Sequence, residues 1–359
     1  MTQGIHVRRS GVISSRVSRK ATFRAIEICA GAGGQAIGLD QAGFEHVAAV
    51  EIDKDACATL RMNKPKWRIY ETDLRKFSGQ EFRGSIDLLA GGVPCPPFSI
   101  AGKQLGANDE RDLFPEALRL VKEIQPAAVM LENVRGLASD RFSDYRTLIL
   151  KQLTQLGYTA DWRILQASDF GLPQLRPRFI LVALRPNAAE YFAWPKPKRR
   201  KPTVGTTLGD LMASGGWPGA EAWIQKAQGM GPTVVGGSKK HGGPDLGPTR
   251  ARREWQKLGV DGIGIANEAP DLHFPAEKMP RLTVRMVARL QGFPDSWNFS
   301  GGKTASYRQV GNAFPPPVAR AVGEAIRRAL IRSAIQPASK VKSTQEPLFD
   351  LRHFGATGS

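Results

Sequence analysis

The chain is expected to fold as an α/β protein, a mainly parallel sheet with a smaller, loop-rich second domain. Three observations predict it. Short apolar runs alternate with helical patterns from Phe23 to Leu184, at the spacing of βαβ units. A glycine-rich turn, Ala30–Gly34 (AGAGG), follows the first of those runs. After Arg185 the texture changes, and residues 186–280 become rich in Gly and Pro with weak periodicity.

Taken in order, residues 1–22 carry Arg8, Arg9, Arg16, Arg19 and Lys20 and no acid. They read as a flexible basic arm without the apolar stretch of a secretory signal. Arg24–Cys29 predicts the first strand and Gln35–Ala42 the first helix. His46–Val50 predicts a second strand ending in Glu51, followed by a helix over Asp53–Asn63. Trp67–Tyr70 gives a third strand with Asp73 beyond it, and Ile86–Ala90 a fourth that stops at Gly91 and Gly92. Helices at Leu113–Ile124 and Tyr145–Leu156 flank a fifth strand, Ala127–Leu131, which runs into Glu132 and Asn133. Phe179–Leu184 is the last apolar strand. Helical pattern returns at Thr283–Leu290 and Pro317–Leu330, and the polar tail, residues 333–359, is expected to be disordered.

Charge narrows the partners. With 51 Lys and Arg against 33 Asp and Glu, the formal charge is +18. That excess favours a polyanion, nucleic acid first and an anionic membrane surface second. No apolar run approaches the roughly 20 residues of a membrane span. The three cysteines, Cys29, Cys57 and Cys95, form no CxxC pair, which fits a reducing compartment and gives no metal signature.

Four groups of residues could carry chemistry. The Ala30–Gly34 turn lets backbone approach a ligand at a helix start, and Glu51 stands where an acid would take ribose hydroxyls. That pattern serves NAD, FAD or S-adenosylmethionine equally, and Glu51 and Asp73 could each be helix caps instead. Cys95 lies in GGVPCPPFS (91–99), where Pro94, Pro96 and Pro97 stiffen a loop past a strand end. A nucleophile and a buried structural thiol are both open readings. Glu132, after the fifth strand, is a proton donor if the two strands are neighbours, and otherwise a cap or an ion pair. Arg176 and Arg178, two residues apart before the last strand, would share one face if extended. They could clamp a phosphate or base carbonyl, or be a solvated pair.

Six runs, in this order, resemble the DNA cytosine-5 methyltransferases of bacterial modification systems. They are EICAGAGGQAIGLDQAGF (27–44), GGVPCPPFSIAGKQLG (91–106), ENVRGL (132–137), DFGLPQLRPRFILVAL (169–184), RLTVRMVARLQGFPDSW (281–297) and YRQVGNAFPPPVARAVGEAI (307–326). The resemblance leaves only 186–280 unmatched within 23–330. It implies a Rossmann-like, S-adenosylmethionine-dependent methyltransferase sheet over 23–185 and 281–332, with a target-recognition domain inserted at 186–280. Cys95 would add to C6 of a flipped-out cytosine while Glu132 hydrogen-bonds or protonates N3, and Arg178, supported by Arg176, would contact the base. Cofactor contacts would come from Cys29, Gly31, Gly33, Gly34, Glu51, Ile52, Asp73, Leu74, Gly92, Pro94, Asn312 and Ala313. Ser99, Lys239, Lys240, His241 and Arg250 are the expected DNA contacts.

The resemblance also implies double-stranded DNA as partner, a restriction endonuclease sharing the site without a stable complex, a monomer, and a cytoplasmic place at the nucleoid. Two positions depart from the family pattern. Cys29 replaces an aromatic that packs on the adenosine, and Met286 replaces an acid, which leaves a salt bridge of that segment in doubt. An RNA cytosine methyltransferase is one rival, and a DNA-binding regulator with a decayed site another. A base deaminase lacks its PCxxC metal signature, and a Rossmann oxidoreductase leaves Cys95, Glu132 and QVGNA unexplained.

Overall fold

Period-two burial builds the sheet. In β1 (Phe23–Ile28) Ala25 joins the apolar layer on one face and Ile26 and Ile28 that on the other. The same alternation runs through β4 (Leu88–Gly92), with Leu89 opposed to Leu88 and Ala90. In β5 (Ala128–Val134) Val129 and Leu131 oppose Ala128 and Met130. Both faces are buried, so these strands read as unbroken apolar runs. The computed structural model describes residues 22–95, 112–198, 201–236 and 243–335.

Seven strands lie in the order β3-β2-β1-β4-β5-β8-β6. Here β2 is Phe44–Glu51, β3 Arg68–Glu71, β6 Thr159–Gln166 and β8 Pro177–Leu184. The five strands from β3 to β5 are parallel, whereas β8 runs antiparallel to both β5 and β6. The expected mainly parallel α/β architecture is what the chain adopts. β6 carries no apolar alternation and was not anticipated. It forms an edge with no residue fully buried, and Arg163 and Ile164 are exposed.

Helices cover both faces. Phe114, Leu118 and Val121 of α3 (Phe114–Ile124, after α1, Gly34–Gln41, and α2, Lys54–Asn63) lie on one side, with Ile149 and Leu153 of α4 (Ser143–Gln155). Leu39 of α1 lies on the other, with Ala188 of the short α5 (Pro186–Ala189). Beside it, Val318, Val322 and Ile326 come from a helix near the end of the described chain, Pro316–Ile335. That helix runs beyond the expected end at Leu330 and takes in the first residues of the expected tail.

The stretch 186–280 is more helical than its Gly and Pro content implies. It holds α6 (Val204–Ala213), α7 (Ala220–Lys226) and α8 (Thr249–Lys257), and two short strands, β7 (Gln174–Leu175) and β9 (Gly231–Pro232), pair across its base. Thr203 opens α6 with a capping box. Leu208, Trp223 and Trp255 share one apolar core with Leu282, Met286 and Leu290 around α9 (Val284–Gln291). The same core takes in Val310 of α10 (Lys303–Asn312) and Leu60 of α2. The helix Pro316–Ile335 is α11. Met286 stands at the third position of α9, where its Sδ accepts the Thr283 N–H at 3.4 Å and closes a capping box. Arg285 meanwhile donates to the Trp297 carbonyl at 3.0 Å. The missing acid is thus replaced by a thioether acceptor and a main-chain partner.

Candidate active site

From β1 the chain moves outward through β2 to β3, then returns to β4 on the other side of β1. Such a reversal leaves a crevice at the carboxyl ends of the strands. A cavity of about 600 Å³ opens there. Its wall contains Cys29, Gly31 and Gly34 after β1, Glu51 and Ile52 after β2, and Asp73 and Leu74 after β3. Gly92 ends β4 and Pro94 follows it, Glu132 lies near the end of β5, and Asn312 and Ala313 return from α10.

Gly33 is the exception among the expected cofactor residues. It sits at φ +87°, and a Cβ there would lie 2.9 Å from both Leu60 Cδ2 and Trp297 Cζ2, so it serves packing behind the turn. Gly31, at φ +53°, has open space where a Cβ would point. Cys29 also takes a left-handed conformation, φ 49°, which turns β1 into the glycine loop. Trp297 donates its indole N–H to the Ala32 carbonyl at 3.1 Å, fixing that loop from the far end of the sequence.

Glu51 braces the turn. One carboxylate oxygen accepts the Gly31 N–H at 2.7 Å, and the other accepts the Ile52 and Asp53 N–H groups, each at 2.8 Å. A carboxylate offers about four acceptor positions, so one remains for a ligand hydroxyl. Asp53, not Glu51, caps α2. Asp73 does cap a short 3₁₀ turn, accepting the Arg75 N–H at 2.9 Å, and it pairs with the Arg75 guanidinium at 2.9 Å. The backbone N–H, then the nearby cation, hold its carboxyl below the usual range. Glu27 lies 1 % exposed in the same wall and meets His46 Nε2 at 3.2 Å. Burial, only partly offset by His46, pushes Glu27 up.

The fourth and fifth strands are neighbours, with Gly92 directly opposite Glu132. Cys95 follows three residues on and donates its thiol to Asn133 Oδ1 at 3.1 Å. Asn133 in turn donates to the Val93 carbonyl at 2.6 Å, so the residue after Glu132 holds both ends of the loop start. Asn133 carried no sequence-level role; its place beside the acid in ENV was the available signal. Burial pushes the Cys95 thiol up to about 11. Glu132 is buried too, which raises its carboxyl, while Arg178 Nε at 2.8 Å offsets part of that rise. The two are diagonal neighbours on the β5–β8 ladder, Glu132 facing Ile180 and Val134 facing Arg178.

Arg176 lies between β7 and β8, outside the strand that holds Arg178, so the two do not sit in one extended segment as expected. The Arg176 N–H turns back to the Gln174 carbonyl at 3.1 Å, which breaks the two-residue alternation between β7 and β8. Arg176, 1 % exposed, donates to the Gly311 carbonyl at 2.8 Å, to Ala313 at 2.9 Å and to Val234. It clamps the main chain at three carbonyls. Arg250 is exposed in the first turn of α8. Ser99, Lys239, Lys240 and His241 lie outside the described residues, as do most of the basic arm and positions 336–359. Among the described residues no cluster of His, Cys, Asp and Glu could hold a metal ion, and no helix is long and apolar enough to cross a membrane.

Fold and site together define an α/β enzyme with a cofactor-sized cavity at its switch point and a thiol beside a buried acid at the edge. Comparison with known proteins identifies the class further. The family model of C-5 cytosine-specific DNA methylases matches residues 23–328. Type II methyltransferase M.NaeI of Lentzea aerocolonigenes is 55% identical over 335 residues, covering 91% of this chain and 80% of its own. Type II methyltransferase M.NgoMIV of Neisseria gonorrhoeae is 54% identical, covering 86% and 98%. The solved structure of Entamoeba histolytica methyltransferase EhMeth has the same fold, with a TM-score of 0.61 at 16% identity over 86% of this chain and 99% of its own. The chain belongs to the C-5 cytosine-specific DNA methylase family and is a DNA cytosine-5 methyltransferase of the bacterial modification type. Family and fold imply S-adenosylmethionine as methyl donor.

Proposed function

We propose that the chain methylates C5 of a cytosine rotated out of duplex DNA, through a covalent bond between Cys95 Sγ and C6. The observation that carries this reading is the β4–β5 register, which puts the Cys95 loop and the buried Glu132–Arg178 pair side by side at the cavity edge. A base inside the stack cannot reach two such groups at once.

The walls suit S-adenosylmethionine. Gly31 leaves room for close approach, Glu51 keeps an acceptor for a ribose hydroxyl, and Ile52, 67 % exposed, offers an apolar surface to a flat ring beside Leu74. When bound, the cofactor supplies an electrophilic methyl group for C5. Cys95 must lose its proton and then gives its electron pair to C6. Glu132, raised by burial, hydrogen-bonds or protonates N3, which neutralises the charge that addition at C6 builds in the ring and leaves C5 an enamine-like carbon able to attack the methyl group. Arg178 holds Glu132 in place and would contact the flipped base. After methylation, loss of the C5 proton lets the C6–Sγ bond break, which restores Cys95 and leaves 5-methylcytosine.

On this reading residues 23–185 and 281–332 form the catalytic unit and residues 186–280 choose the target. The Type II modification relatives favour a restriction endonuclease that shares the site; on this reading it forms no lasting complex with the enzyme, which acts as a monomer at the nucleoid. Bisulfite sequencing of DNA from cells expressing the chain tests the reading. Methylated cytosines should fall at one sequence, and none should appear with Cys95→Ser. Equal methylation by that variant would contradict it.

A further inference from the structure

Addition of sulfur to C6 requires a home for the Cys95 proton, and the described residues around the thiol offer few. Asn133 Oδ1, which accepts the thiol at 3.1 Å, belongs to an amide and is not basic. Glu132, on the reading above, gives its own proton toward N3, and Arg178 beside it is a cation. The remaining carboxylate of this cluster is Asp112, just before α3. Asp112 is 8 % exposed, and the next residue, Leu113, donates its N–H to the carbonyl of Pro94, the neighbour of Cys95, at 3.2 Å.

Its carboxylate is oriented from two sides. Oδ1 accepts the first N–H of α3, that of Phe114, at 3.0 Å, and Oδ2 accepts the Tyr145 hydroxyl at 2.5 Å. Tyr145 reaches over from α4 and meets the Phe114 ring edge to face, with centroids 5.9 Å apart. Burial and the bond to Asp112 push the Tyr145 hydroxyl up, so it remains a donor. Cys95, Leu113 and Tyr145 all pack against the same apolar layer. After burial, and against the Asn133 hydrogen bond, the Asp112 charge pushes the Cys95 thiol up, ahead of that of Glu132. We infer that Asp112 takes the Cys95 proton as sulfur adds to C6. The Sγ–H bond breaks, its electron pair forms the Sγ–C6 bond, and the proton passes to an Asp112 oxygen. Transfer accompanies bond formation, so no free thiolate has to accumulate. After C5 has lost its proton to solvent, the C6–Sγ pair returns to sulfur and Asp112 gives the proton back.

The full chain and a duplex carrying 5-fluorocytosine at the site found by bisulfite sequencing test this inference, which rests on the covalent reading above. With S-adenosylmethionine present, Asp112→Asn should slow formation of the Cys95 adduct on the order of a hundredfold, the usual worth of a lost general base. Asp112→Glu keeps a carboxylate and should lie between that variant and the parent. Without DNA, iodoacetamide should alkylate Cys95 faster in Asp112→Asn than in the parent, because a negative charge beside the thiolate is gone. A merely structural loss would slow both reactions or leave both alone, whereas a lost base slows the first and quickens the second. An unchanged adduct rate in Asp112→Asn, a parallel fall in both reactions, or an Asp112→Glu variant no faster than Asp112→Asn would overturn the inference. A parent protein that formed no adduct would overturn the covalent reading itself, and the inference with it.

Discussion

At the scale of single residues, the Cys95 thiol donates to Asn133 and is pushed up to about 11 by burial, so near neutral pH it is almost wholly protonated. Only the thiolate alkylates, and its share grows about tenfold per pH unit below the pKa. Iodoacetamide labelling of Cys95 in DNA-free protein, followed by peptide mass spectrometry, should therefore accelerate about tenfold per unit from pH 7 to pH 9. A rate already level at pH 7 would mean a depressed pKa and contradict the buried-thiol account. Arg176 gives a second prediction. Its loss in Arg176→Ala leaves the carbonyls of Val234, Gly311 and Ala313 without that donor. Each buried acceptor so stranded costs on the order of 1 kcal/mol or more. A clear fall in Tm is expected, and an unchanged Tm with lost activity would return Arg176 to the substrate. Cys95, Glu132 and Arg178 were legible in the sequence because each ends or starts a strand within a distinctive motif. The turn of Arg176 was not, since it depends on a backbone bond to Gln174 that spacing does not reveal.

Between elements, α1 lies tightly against α11. A Cβ on Gly38 would sit 2.3 Å from the Pro316 carbonyl oxygen and 2.6 Å from Ala319 Cβ, and one on Gly34 2.5 Å from the Phe314 carbonyl oxygen. Backbone cannot yield as a side-chain tip does, so Gly38→Ala should destabilise by about 1–3 kcal/mol, read by chemical denaturation. A neutral result would show that α11 is free to shift. This contact explains physically how a segment near the C-terminus is joined to the first helix. The parallel strands were readable because burial on both faces makes them continuous apolar runs. β6 was not, because an edge strand buries too little to show a pattern. α10 escaped notice for a related reason: its sequence, KTASYRQVGN, mixes polar and small residues, and burial there comes from neighbours in space.

Across the whole molecule, the described residues of 186–280 share their core with the rest of the chain. Trp223 and Trp255 share theirs with Leu282, Met286 and Val310, and Arg289 of α9 pairs with Asp210 of α6 as well as with Asp295. Residues 186–280 expressed alone should therefore lack cooperative unfolding by circular dichroism. A sharp transition would show an independent domain. The same sharing shapes any exchange of target-recognition segments. An exchange that also carries α9 and α10 should retain more folded protein than one cut at 280, and the methylated sequence should move with the exchanged segment.

The central claim is a covalent bond from Cys95, and duplex DNA bearing 5-fluorocytosine at the methylated position tests it most directly. Fluorine at C5 cannot leave as a proton does, so the C6–Sγ bond should persist after methyl transfer. Denaturing gels and mass spectrometry should show the chain bound to DNA through the peptide holding Cys95, and no such species with Cys95→Ser. An adduct that survives Cys95→Ser, or one mapped to Cys29 or Cys57, would contradict the account.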